Sequence, residues 1–217
     1  MHESNYISKK FKKLTMKKFK LLSIALLITG GSLMAQKVAV ESGAMPSLKG
    51  ETKLNLVYDY SEMEMGKYGS EADYTKKKVE DLNKKTPGKG DKWLEGWNGN
   101  KTKRYHPKFE ELLNKGLSKK GSDASEANTS AKYTMKVKTL TLFPGWNIGI
   151  SKLPAYCTYR FELVETAAPD KVICAMRLNN VQGSQAMGYD FDEGSRVAES
   201  YAKAGKIMAK YLAKSFK

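Results

Sequence analysis

Few side chains in this 217-residue chain are suited to bond-making chemistry. The sequence holds two histidines and two cysteines. His2 lies in a lysine-rich start, which leaves His106, beside Pro107, to serve a relay; its position at a helix start reads as a solvated residue. No nucleophile elbow or phosphate loop is present, since Gly88, Gly90 and the lysines between and after them have the wrong spacing. One histidine and two cysteines are too few for a zinc site without carboxylates. Asp190, Asp192 and Glu193 cluster before Gly194. A calcium loop of the helix-loop-helix kind fails here, because Gly194 and Tyr201 stand where oxygen ligands are needed. The cluster reads as acids placed at a helix N-terminus. No catalytic residue, metal ligand or cofactor is assigned.

The aromatic and basic residues are more informative. Trp93 and Trp97 sit in a stretch rich in Gly, Lys and Asn, and Trp146 sits in a turn after Pro144 and Gly145. Tryptophan in such surroundings either stacks on a sugar or anchors a partner, or folds back onto the core. Both readings stay open for Trp93 and Trp97, whereas Trp146 reads as core. The formal charge is +15. Seven lysines and one glutamate lie in residues 1–35, which leaves +9 to the rest, and residues 76–120 alone hold fourteen Lys or Arg against six Asp or Glu. Lys76, Lys77 and Lys78 with Trp93 and Trp97 therefore form the candidate binding set: lysines for long-range attraction, indoles for short-range anchoring.

The elements that must position these residues begin with an address. Met16 to Lys20 is a basic segment, residues 21–29 are apolar, and Gly30 to Ala35 ends in small residues. That three-part order is a secretory signal, with Met16 as initiator and cleavage at Ala35–Gln36. Nine apolar residues fall short of the roughly 20 that span a bilayer. No cysteine stands at the cut, so the product is not a lipoprotein. Export makes acidic envelope polymers, a membrane surface or an envelope protein the expected partners, and nucleic acid is not expected.

After a tether over residues 36–50, a single α+β domain is expected over 51–217. Leu54, Leu56, Tyr58 and Tyr60 alternate as a half-buried strand. Residues 71–84 make a weakly amphipathic helix, 86–104 a loop, and 107–119 a helix with Phe109, Leu112, Leu113 and Leu117 on one face. Tyr133, Met135 and Val137 alternate, and the parity then flips to Leu140 and Leu142, which calls for a bulge near Thr139. Cys157, Tyr159, Phe161 and Leu163 share a face, and residues 172–178 return to form a hairpin. Simple register places Cys174 opposite about Leu163. At about 3.3 Å per residue that leaves it roughly 20 Å along the strand from Cys157. A disulfide needs about 7 Å between Cα atoms, so both are expected as buried free thiols. Ser195 is placed to cap a long last helix carrying Val197, Tyr201, Ala204, Met208 and Tyr211 on one stripe. Ala198, Ala202, Gly205 and Ala209 would allow close approach to a sheet. The predicted architecture is one mainly antiparallel sheet of about four strands with helices on one face.

From the strand that begins near Lys132, through the hairpin from Val164 to Lys171, to the helix of Gly194–Tyr201, the element order resembles periplasmic lipoprotein domains related to the N-terminal domain of TolB. That group includes penicillin-binding-protein activators and the curli-secretion subunit. The resemblance implies an envelope accessory role without catalysis and carries over no site residue; the missing lipobox cysteine and the tryptophan segment depart from it. The function expected is thus an exported, non-enzymatic envelope accessory or binding protein. A carbohydrate-directed hydrolase with unidentified carboxylates and a structural surface protein without a small ligand remain the alternatives.

Overall fold

The computed structural model describes residues 36–183 and 192–216; the stretch expected to be a secretory signal and Asp190 lie outside them. Eight strands and four helices follow in order: β1 (Ala39–Gly43), β2 (Lys53–Asp59), α1 (Glu71–Lys85), α2 (Lys89–Asn100), α3 (His106–Leu117), β3 (Asp123–Ser125), β4 (Tyr133–Phe143), β5 (Trp146–Asn147), β6 (Lys152–Leu153), β7 (Ala155–Glu165), β8 (Ala168–Gly183) and α4 (Glu193–Leu212). The fold is α+β with a long C-terminal helix, as expected.

The sheet corrects the expectation of about four antiparallel strands. It has six, in the order β1-β8-β7-β4-β2-β3, and is mixed. β2 pairs parallel to both β3 and β4. Three helices separate β2 from its partners, and a helical crossover returns the chain to the same end of the sheet, which makes the pairing parallel. β1 lies in the stretch expected to be a tether, and β3 lies between the expected 107–119 helix and the Tyr133 strand, where no strand is expected. β1 is exposed along its whole length, so it carries no alternation to read. It is held by antiparallel pairing to β8, and Leu48, which follows it, is buried and donates its backbone N–H to Ser215 at 2.8 Å.

The central strands follow their pattern. Met135, Val137, Phe161, Leu163, Met176 and Leu178 are all buried. The register of β4 on β7 shifts between Thr139 and Thr141, at the predicted bulge. Glu64 bridges that break: its N–H donates to Leu140 at 3.0 Å and its carbonyl accepts from Leu142 at 2.9 Å. The β7–β8 turn falls at Thr166 and Ala167, two register shifts follow near Val164, and Cys174 pairs with Leu163 as expected. Both cysteines are free and buried.

The opposite face of the sheet is a charge ladder. Glu41 of β1 pairs with Arg160 of β7 at 3.1 Å and Arg177 of β8 at 3.3 Å. Lys138 of β4 pairs with Glu62, and with Asp59 at 3.8 Å.

α2 replaces the loop expected over 86–104. Four glycines in that stretch lower helix propensity, yet packing wins. Gly90 lies so close to α1 that a Cβ there would stand 2.4 Å from the Val79 carbonyl oxygen. Trp97 is buried on the inner side of α2. The helical path then continues through a π-turn over Lys101–Tyr105 into α3, with His106 donating to Lys101. Pro107 has no N–H to give to the preceding turn, and a wider turn accommodates that loss. The small residues of α4 face α3, not the sheet: a Cβ on Gly205 would meet the Phe109 carbonyl oxygen at 2.3 Å.

Candidate functional site

The expected binding residues divide. Trp97 is 3% exposed, and its Nε1–H donates to Glu71 Oε1 at 2.8 Å. Lys101 closes on the other Glu71 oxygen at 2.7 Å. Trp97 is therefore a packing residue. Trp93, one turn earlier, is half-buried and stacks on it with centroids 5.4 Å apart. Tyr74 of α1 lies against both indoles, at 6.0 and 5.3 Å. Glu193 at the start of α4 accepts from Trp93 Nε1 and, at 3.3 Å, from the Tyr74 hydroxyl. Lys78 completes the knot, 3.9 Å from Glu193 and 5.7 Å from the Trp93 ring centroid. Lys77 pairs with Asp81 at 3.1 Å on the exposed face of α1, and Lys76 is exposed. Of the five, Lys78, Trp93 and Trp97 line a common groove; Lys76 and Lys77 do not.

That groove, about 790 Å³, is bounded by α2, the β5–β6 hairpin and the first turns of α4. Lys89, Lys92, Gly96, Gly99 and Lys103 line it from the helical stretch. Their spacing of three and four puts them on one stripe. This signal was present in the sequence but is unreadable once the segment is taken for a loop. Lys89, Lys92 and Lys103 are exposed. Trp146 lines the groove from the hairpin. It is 40% exposed rather than core, its ring edge-on to Phe143 at 6.0 Å. Trp146 opens the separate β5–β6 ribbon, outside the six-stranded sheet whose face forms the core.

Three acids line the groove; Glu95 is exposed on α2, and the other two, Asp192 and Glu193, are held by fixed partners. Asp192, not Ser195, caps α4, accepting from the Ser195 N–H at 2.9 Å. Arg104 Nη1 donates to both Asp192 oxygens at 2.8 and 2.9 Å. Partial burial works to raise the Asp192 pKa, but the Arg104 hydrogen bond and charge and the backbone N–H groups of Ser195 and Gly194 outweigh it, and the carboxyl ends below its ordinary range. Glu193 is taken up by Trp93 and Tyr74, as described.

His106 is not the solvated residue expected. It is 7% exposed, stacked on Tyr58 at 3.6 Å and hydrogen-bonded to the Tyr60 hydroxyl at 3.1 Å and Glu126 at 3.0 Å. Tyr58 near the end of β2 and Tyr60 just beyond it draw it inward. Among the described residues no three histidine, cysteine or carboxylate side chains converge as a metal site would require, and no helix is long and apolar enough to cross a membrane.

The chain matches no family model and no curated protein. Among solved structures it is similar to the PelC dodecamer from Paraburkholderia phytofirmans, at 15% identity over 77% of this chain and 97% of that one, with a TM-score of 0.35. It is also similar to a neuraminyllactose-binding hemagglutinin homolog from Helicobacter pylori, at 12% identity over 82% and 88% of the two chains, with a TM-score of 0.30. Likeness at that level defines neither a family nor a function.

Proposed function

We propose that this chain is an exported, non-enzymatic binding protein of the cell envelope that captures an anionic partner at the α2 groove. One observation carries the reading: Lys89, Lys92 and Lys103 stand exposed on a single helical stripe, facing a partly exposed Trp146 across an open groove. Clustered cations beside a concave surface raise the local concentration of an anionic partner, and an indole supplies contact once it arrives. The signal pattern of residues 16–35 supports delivery to the envelope. The resemblance to TolB-related accessory domains points the same way. The non-enzymatic reading is supported by two of the three groove acids, Asp192 and Glu193. A general acid for glycoside cleavage needs a raised pKa, whereas Asp192 is held low by Arg104 and Glu193 is occupied by Trp93 and Tyr74.

The test is co-sedimentation with isolated envelopes at low and high salt. Wild type is expected to sediment at low salt and to be released as salt rises, because exposed charge is screened beyond about 8 Å at physiological ionic strength. A Lys89→Glu/Lys92→Glu/Lys103→Glu variant is expected to remain in solution. Equal sedimentation of the two, or none by either while circular dichroism shows both folded, refutes the groove as a partner site.

A further inference from the structure

We infer that the β5–β6 hairpin is a membrane-insertion tip, whose apolar end enters an anionic bilayer while the groove lysines hold the headgroups. The inference rests on the groove being the partner face and names the partner as lipid.

Ile150 is 98% exposed and Ile148 68% exposed, on a two-stranded ribbon that also presents Trp146. The ribbon is a closed, hydrogen-bonded turn. Ile148 donates its N–H to Ser151 at 3.0 Å, the Gly149 N–H donates to the Asn147 side-chain oxygen at 2.9 Å, and Gly149 takes φ +85°. The turn geometry thus holds both isoleucines outward. Exposed apolar clusters of this kind mark interaction sites. Their shape narrows the partner. The tip is convex and offers two branched hydrocarbon side chains. A sugar-acid polymer would gain no hydrogen bond from them, and a folded protein would need a matching cavity. A bilayer yields to a convex apolar tip. The neighbouring residues fit the same boundary. Tryptophan is enriched at the membrane–water interface, and Trp146 stands at the base of the tip. Lys152 is exposed on the ribbon, and Lys89, Lys92 and Lys103 line the groove that Trp146 and Ile148 also line. Basic groups near an anionic membrane surface each add attraction, while hydrocarbon burial adds a salt-insensitive part.

The experiment uses the full chain, so that the apolar run of residues 21–29 is common to every variant. Binding is measured to phosphatidylcholine vesicles, to vesicles containing phosphatidylglycerol, and to soluble alginate as an acidic polymer, with isolated envelopes in parallel. Wild type is expected to bind the anionic vesicles at least tenfold more tightly than the neutral ones. Ile148→Ser/Ile150→Ser is expected to lose at least tenfold at both low and high salt, with an unchanged circular dichroism spectrum. Lys89→Gln/Lys92→Gln/Lys103→Gln is expected to lose the salt dependence. Brominated lipid should quench wild-type fluorescence, and Trp146→Phe should remove most of that quenching. If the isoleucine variant binds anionic vesicles as wild type does, the tip is not inserted and the inference is wrong. If wild type binds envelopes or alginate but not vesicles, the insertion is wrong and the groove reading stands. If it binds none of them, both fall.

Discussion

Gly205 of α4 and Phe109 of α3 meet backbone to backbone: a methyl group at Gly205 would stand 2.3 Å from the Phe109 carbonyl oxygen and 3.2 Å from the Leu113 nitrogen. The contact seats α4 against α3, and α4 in turn holds the capping Asp192 and Glu193 at the groove.

Gly205→Ala is therefore expected to destabilise the fold. Alanine gains about 1 kcal/mol in helix propensity over glycine. Overpacking a tight site costs about 1–3 kcal/mol, and the atoms that must yield here are backbone. A lower urea midpoint at unchanged slope is the expected result; an unchanged or higher midpoint would show that the helices separate freely.

His106 links stability to pH. Burial lowers its pKa from the ordinary value near 6.5, Glu126 works the other way, and Lys101 adds to the lowering. A group with a depressed folded pKa binds its proton more readily when unfolded. Its contribution is thus complete above about 6.5 and is lost as pH falls through the lower folded value. One proton gives a slope of at most about 1.4 kcal/mol per pH unit. Urea midpoints between pH 7.5 and 5.5 should fall for wild type and fall less for His106→Gln. Parallel curves would remove His106 from the account.

Glu193 is expected to matter for folding before binding. Glu193→Ala leaves Trp93 Nε1 and the Tyr74 hydroxyl without their acceptor. Such a loss costs about 1–3 kcal/mol where the groups are out of water, and Tyr74 is buried. The variant should unfold at lower urea and show altered indole fluorescence in the folded state. Unchanged stability would mean that water replaces the carboxylate without cost.

How much of this was legible follows from which residues have two distinct sides. β4, β7 and β8 alternate because one face meets α3 and α4, and the bulge at Thr139 showed as a change of parity. β1 shows no alternation, because an edge strand exposed along its whole length is held by backbone pairing to β8 and the Glu41 ion pairs rather than by a buried apolar face. α2 was hidden by glycines that its packing requires, Gly90 against Val79 above all. With that segment taken for a loop, the lysines at 89, 92 and 103 show no period, whereas Lys76 and Lys77, which do not line the groove, stand out as part of a run of like charge. Trp146 misled in the other direction, since a large aromatic is buried more often than not.

The two thiols supply the last prediction. Cys157 and Cys174 lie on adjacent strands of a chain we propose to be exported, and in exported proteins paired cysteines are usual, yet Cys157 pairs across to Val181 and Cys174 to Leu163. The register separates them, and both are fully buried. Burial pushes the Cys157 thiol up to about 11, with hydrogen bonds from Ser200 and Tyr159 countering only in part. Thiolate, not thiol, is the attacking form, so at pH 8 Cys157 is doubly protected, by access and by protonation. Alkylation of the native protein with iodoacetamide should therefore leave both cysteines unmodified for as long as the fold persists, and urea should expose the two together in one cooperative step. Peptide mass analysis without reductant should find no link between 157 and 174. A linked peptide would mean that β7 and β8 slide by several residues, which would also carry Tyr159 and Phe161 away from Tyr201 and Phe109, and the stability of the chain would then fall when the link is reduced.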